Sequence, residues 1–246
     1  MTELSPGANL CFQQLIAELH ALSRSNVDQA FIRRYLGTVR PVLGVPTEDL
    51  RRLAKDTIHS QRDWTVEAWL ALLDQLYAGE FFEQRVLAGF LLGMLHELRR
   101  TVDLQRLRTW LAGAEGWAEV DTTCQSAWTA QEVLVRWQEW QSFLSALTED
   151  PNISLRRASL VLLVAPLRKN TDERLMQQAF ATVERLQHEK NVMITKAISW
   201  VLRTMAPLQP ESVAVFLDSH AATLPSIAIR ETRKKLDTGR KTTRKE

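Results

Sequence analysis

Apolar residues recur at helical spacing along nearly the whole chain. Leu10, Phe12, Leu15, Ile16, Leu19 and Leu22 follow the three- and four-residue steps of a helix with one buried face. Leu50, Leu53, Ala54 and Ile58 do the same, as do Trp69, Leu72, Leu73 and Leu76. Helix starts are marked where a threonine precedes acids: Thr47 before Glu48 and Asp49, Thr65 before Glu67, and Thr171 before Asp172 and Glu173. Such a hydroxyl accepts from an orphan amide of the first turn, and the acids favour the positive end of the helix dipole. Breaks fall at Val45-Pro46, at 113–116, at Asp150-Pro151-Asn152, at Lys169-Asn170 and at 208–210. The pattern predicts roughly a dozen helices of about 10–18 residues and no strand.

Helices this short must pack their stripes on one another, so the question is whether they repeat. Four segments align in one register: those opening at Phe81, Trp117, Ile153 and Val192. Their fifth residues, Arg85, Asp121, Arg157 and Lys196, are all ionisable, and each segment opens a long apolar helix. The spacing of 36, 36 and 39 residues suits helix-pair repeats of the HEAT type. The fold class predicted is therefore all-α: a HEAT-like solenoid of antiparallel helix pairs, curved, with a concave face. One repeat domain is drawn over 1–236 and a basic tail over 237–246. Equivalent positions on successive repeats form a row, mostly basic, with one carboxylate. Two readings of that row stay open: structural pairing between neighbouring repeats, or a track for a phosphate backbone.

Composition narrows the picture. Nine glycines and eight prolines are about 7% of the chain against roughly 12% on average, too few turn-makers for a many-stranded sandwich or barrel. No apolar run is long enough to span a membrane, and no signal peptide is read at the start. The net charge of +2 hides a division. Residues 230–246 hold eight basic and three acidic residues, which leaves −3 on residues 1–229. Two cysteines, Cys11 and Cys124, make no disulfide framework, so a reducing cytoplasmic compartment is expected. No glycine-rich phosphate loop occurs, and the five histidines show no metal-ligand spacing, so neither metal nor cofactor is predicted. His96 and His188 are read as late helix residues facing the dipole, and Cys124 as a small core residue.

Eight tryptophans against two tyrosines is an uncommon balance. Core packing accounts for Trp64, Trp69, Trp110, Trp128, Trp137 and Trp140. Trp117 and Trp200 differ, because each stands four residues from a member of the charged row, Asp121 or Lys196, and shares its helix face. Two indoles and a carboxylate beside basic residues suit a flat cationic ligand or a sugar edge.

These residues resemble the HEAT-repeat alkylpurine DNA glycosylases, the AlkD type of DNA alkylation repair enzyme. The matching stretches are Tyr35 through Val45-Pro46-Thr47, then Trp117-Ala118-Glu119-Val120-Asp121, then Asn152 through Arg157-Ala158, then Lys196 through Trp200-Val201-Leu202-Arg203, and finally Arg230-Glu231. The resemblance runs in order over about residues 27–236. It implies that Asp121 is the essential carboxylate and that Trp117 and Trp200 flank the deoxyribose of the lesion. It further implies that Arg157 supports catalysis and holds the backbone, and that Tyr35 lines the cleft. Arg85, Lys196, Arg203 and Arg230 are the remaining expected DNA contacts. Ala118 stands where relatives often carry a second acid, and Ser154 where an aromatic is common.

The implied activity is monofunctional hydrolysis of the glycosidic bond of cationic N3- or N7-alkylated purines in duplex DNA, without base flipping. The expected substrates are 3-methyladenine, 7-methylguanine and bulky adducts, and the product is an abasic site. The implied setting is a monomer in the bacterial cytoplasm or nucleoid, partnered by alkylated double-stranded DNA and by no membrane. The alternative is a non-catalytic HEAT-like module that binds DNA or a protein, since fold alone does not make an enzyme.

Overall fold

Two segments of the chain are enclosed on nearly every side, and each becomes the centre of a helical stack. Phe82–Met94 (α5) buries every residue from Phe82 to Leu92. Ile153–Leu167 (α11) buries twelve of its fifteen residues. Beyond the first turns, which hold Glu83, Gln84 and Arg85 in one and Ser154, Arg156 and Arg157 in the other, both run almost wholly apolar, and such a stretch belongs inside, covered by neighbours. The computed structural model describes residues 6–125 and 128–240, and these hold fifteen α-helices and no strand. The chain divides into two compact units, Met1–Ala127 and Trp128–Glu246. The sequence draws a single repeat domain there, because both units share one period and neither glycine nor proline stands at the junction.

The first unit contains α1 (Pro6–Ala21), α2 (Gln29–Leu36), α3 (Thr47–Ser60), α4 (Val66–Tyr77), α5, α6 (His96–Thr101), α7 (Leu104–Ala112) and α8 (Gly116–Gln125). α5 lies between α3 and α8, with α4 behind it and α1 behind α4. The second unit contains α9 (Ala130–Val135), α10 (Trp137–Thr148), α11, α12 (Glu173–Leu186), α13 (Val192–Met205), α14 (Pro210–Ser219) and α15 (Ser226–Thr238). Here α13 lies between α11 and α15, and α10, α12 and α14 back the row. Each 36-residue step read from the sequence spans three helices, one of them short: α5, α6 and α7, then α8, α9 and α10; the 39-residue step is the pair α11 and α12. Arg85, Asp121, Arg157 and Lys196 fall on α5, α8, α11 and α13, and these are the helices that pack side by side within each unit.

The helix signals hold with shifts of one residue. Thr65 accepts from the amide of Ala68 at 3.3 Å, as its position predicts. At α12 the capping oxygen belongs to Asp172 rather than Thr171. At α3 Pro46 takes the cap position, so Thr47 is already helical. The three helices beyond the predicted dozen are short ones: α2 has eight residues, α6 and α9 six each. His96 opens α6 instead of closing a helix, and His188 lies in the turn after α12, which corrects the dipole role read for both. Arg99, not a histidine, meets the end of α5, donating to the carbonyl of Gly93 at 2.8 Å. Cys124 is fully buried, as core packing requires. α15 continues through Thr238, so the first residues of the expected tail are helical, and residues 241–246 lie outside the described part. No described helix is long and apolar enough to cross a membrane.

Candidate active site

The start of α8 rests directly on the end of α2. Gly116 has φ 72°, a left-handed backbone that favours glycine, and a Cβ there would lie 2.4 Å from the carbonyl oxygen of Leu36. This close approach sets Trp117 beside Tyr35. The indole Nε1 donates to the Tyr35 carbonyl at 2.8 Å, and the two rings meet edge to face at 5.7 Å. One turn further on, Asp121 emerges on the same side, only 7% exposed. Tyr35, Trp117 and Asp121 all line one cleft of about 480 Å³ within the first unit. Its walls are otherwise mainly apolar, from Ile32, Leu36, Val45, Leu50, Phe82, Val86 and Phe90, with Thr47, Arg51, Thr122 and Gln125 among the polar lining. The Arg51 guanidinium sits over the Phe90 ring, 4.9 Å from its centre. A carboxylate on an apolar wall acts on charge more strongly than one in water.

Gly116→Ala is expected to cost about 1–3 kcal/mol in backbone strain alone. The melting temperature should fall by roughly 2–12 °C, with a shift in tryptophan fluorescence as Trp117 leaves Tyr35. A variant that melts and fluoresces like the wild type would show that the contact does not set this wall.

Behind the cleft lies a buried charge cluster. Glu119 pairs with Arg85 Nε at 2.7 Å and with Arg40 Nε at 3.4 Å. It also accepts from the Glu115 amide at 3.0 Å and the Thr38 hydroxyl at 3.3 Å. Burial pushes the Glu119 carboxyl up, and the Glu115 amide and then the two guanidiniums pull it back. Arg85, 4% exposed, further donates to the carbonyls of Tyr77 and, at 2.6 Å, Trp110. Arg40 reaches the carbonyls of Gly113 at 2.7 Å and Gly79 at 3.2 Å. Together they tie the loop after α2, the ends of α4 and α7 and the first turn of α8. Glu83 makes a second such tie, accepting from the amides of Leu43 and Gly44 at 2.9 and 2.8 Å while burial pushes its carboxyl up.

In the second unit the charged row continues on α11 and α13. Arg157 is buried and donates to the Met193 carbonyl at the start of α13. Lys196 is exposed, and Trp200, one turn later, is half-buried. Arg203 donates to Ser199 Oγ at 3.1 Å and pairs with Glu231 at 3.3 Å, while Ser199 also donates to Glu231 at 2.7 Å. Burial pulls the Arg203 guanidinium down and Glu231 raises it. Arg230, next to Glu231 on α15, is exposed.

The sequence profile described as DNA alkylation repair enzyme matches residues 15–236. The chain belongs to that family. Three solved structures share its fold. A protein described as a predicted DNA alkylation repair enzyme from Enterococcus faecalis has a TM-score of 0.74 at 18% identity, over 88% of this chain and 98% of that one. AlkD2 from Streptococcus mutans has a TM-score of 0.58 at 15% identity, over 92% and 98% of the two chains. The protein smu.31 from Streptococcus mutans UA159 has a TM-score of 0.53 at 18% identity, over 78% and 97%. No curated protein matches the chain.

Within this DNA alkylation repair family member, the geometry sorts the residues read from sequence. Tyr35, Trp117 and Asp121 come together on one cleft, and Lys196 and Arg230 stand at the surface. Arg85 does not: its guanidinium is enclosed by Glu119 and two carbonyls, which corrects the DNA contact expected of it in favour of structural pairing between repeats. Among the described residues no three His, Cys, Asp or Glu side chains converge as a metal site. The residues that sequence reasoning passed over are Arg40, Glu83, Gly116 and Glu119. A signal for two of them was present, because Glu83 and Glu119 stand 36 residues apart at the third position of the repeat.

Proposed function

We propose that the chain is a monofunctional DNA glycosylase that removes cationic N3- or N7-alkylated purines from duplex DNA. The observation that carries this reading is the pairing of Asp121 and Trp117 on the wall of one apolar cleft. An alkylated purine already bears positive charge, so its glycosidic bond is weakened and the base departs without a general acid. The enzyme's task is to stabilise the oxocarbenium-like sugar and to orient water. In this reading the Asp121 carboxylate does both, by a negative charge aimed at the charge that develops. The Trp117 face adds cation–π support. Among the described residues no lysine lines the cleft, which supports hydrolysis over Schiff-base chemistry. From the second unit, the reading takes Trp200 and Arg157 as further contributors, with Lys196, Arg203 and Arg230 as contacts to phosphate or the residues that hold them.

The test is to incubate the protein with methylated duplex DNA and to measure free 3-methyladenine and 7-methylguanine. Release is expected, with abasic strands that break only on alkaline treatment and no adduct trapped by borohydride. Absence of release would overturn the reading, and DNA binding without release would establish the non-catalytic module instead.

A further inference from the structure

Helix α2 buries none of its eight residues, although its sequence is half apolar. Phe31 is 54% exposed and Tyr35 64%. Their rings lie nearly parallel, 8° apart in plane and 6.4 Å between centres. Tyr35 in turn meets Trp117 edge-on, so an aromatic row runs from the outer face of α2 into the Asp121 cleft. The Arg34 guanidinium lies 5.9 Å from the centre of the Phe31 ring, on the same exposed face.

The charge around this row is not that of the rest of the chain. Residues 22–46 contain four arginines, Arg24, Arg33, Arg34 and Arg40, and a single acid, Asp28. The Asp28 carboxylate caps α2, accepting from the Phe31 amide at 2.9 Å. Arg40 is already paired with Glu119, so Arg24, Arg33 and Arg34 against Asp28 leave a surplus of two positive charges here, inside residues 1–229, which sum to −3. A second copy of the chain docking here by this same patch would bring like charge against like. A protein partner could use the rings but gives no reason for the local surplus. A sugar–phosphate backbone uses both.

We infer that α2 is a DNA-docking element beside the cleft, gripping the nucleotides that flank the damaged one. Phe31 and Tyr35 lay their rings against deoxyribose and base edges, and Arg34 meets a phosphate. The inference rests on the reading of DNA as the substrate and adds where, and with which side chains, the duplex is held.

The experiment measures binding of a fluorescein-labelled duplex by anisotropy across a salt series, alongside base release, for wild type, Phe31→Ala and Arg34→Gln. Phe31→Ala should weaken binding about fivefold or more with the salt slope unchanged. Arg34→Gln should flatten that slope by about 0.9, the loss of one phosphate contact. Melting temperatures should stay at the wild-type value, because neither side chain is buried. Wild-type affinity and slope in both variants, with base release intact, would overturn the role of α2 and leave the glycosylase reading standing. A wild type that neither binds nor releases base would overturn both. A dimer in sedimentation that Phe31→Ala dissolves would assign the patch to self-association and overturn the inference.

Discussion

Asp121→Asn should lower base release from methylated duplex by about 100- to 1,000-fold, the usual loss when a group aimed at transition-state charge is removed. Asparagine keeps the shape of the side chain and much of its hydrogen bonding, so the change isolates the negative charge. The charge has leverage because Asp121 is only 7% exposed on a largely apolar wall. In such surroundings an electrostatic interaction is weakened less than in water. The effect should fall on the rate of release rather than on affinity for undamaged duplex, to which the carboxylate contributes only repulsion of phosphate. Undamaged duplex should bind Asp121→Asn at least as tightly as the wild type. Release within a few-fold of wild type would remove Asp121 from the centre of the chemistry.

The second large effect is structural. Arg85→Met should destabilise the protein by about 3–5 kcal/mol, because it leaves the Glu119 charge buried with a partner missing. In a chain of this size that is a fall in melting temperature of roughly 6–20 °C. The Glu119 side chain is 1% exposed, and Arg85 supplies the shorter of its two ion pairs. Carbonyls of Tyr77 and Trp110 lose their donor in the same step. Adding Glu119→Leu to Arg85→Met removes the stranded carboxylate and should recover part of the loss, since a matched apolar pair costs less than half an ion pair. Calorimetry on the two single variants and the double variant gives the coupling directly. An Arg85→Met protein that melts like the wild type would show that the cluster is not what holds α8.

Much of the architecture was legible because period and chemistry coincided. Arg85, Asp121, Arg157 and Lys196 marked the register, and all four lie at equivalent places on packed helices. Trp117 and Asp121 could be placed on one face from their spacing, since four residues is about one turn. Periodicity says which residues share a face but not whether that face meets solvent or a neighbour, so Arg85 could not be told from a surface arginine. Its enclosure depends on Glu119, Arg40 and two carbonyls that converge only after folding. Gly116 was equally silent, because the need for glycine there comes from the backbone of Leu36 and Gly37, far away in sequence. α2 was missed as a helix of consequence because it is one short segment outside the 36-residue register, and the contacts that place it against α8 join residues far apart in sequence.

The third position of the repeat has a further consequence. It holds Glu83 and Glu119 in the first unit, but the fully buried Leu155 and Ile194 in the second. Apolar packing has no preferred direction, so it fixes the axial setting of a helix through shape alone and less sharply than a directed ion pair does. A slip of a single residue along a helix is about 1.5 Å. Glu119 cannot creep with its neighbours, because moving along the axis takes it out of reach of Arg85, Arg40 and the Thr38 hydroxyl together. The cluster works as a detent: it lets α8 click into one axial setting and no other. Reacting groups tolerate displacement of only about 0.5 Å, and a carboxylate two residues along from the detent inherits its precision.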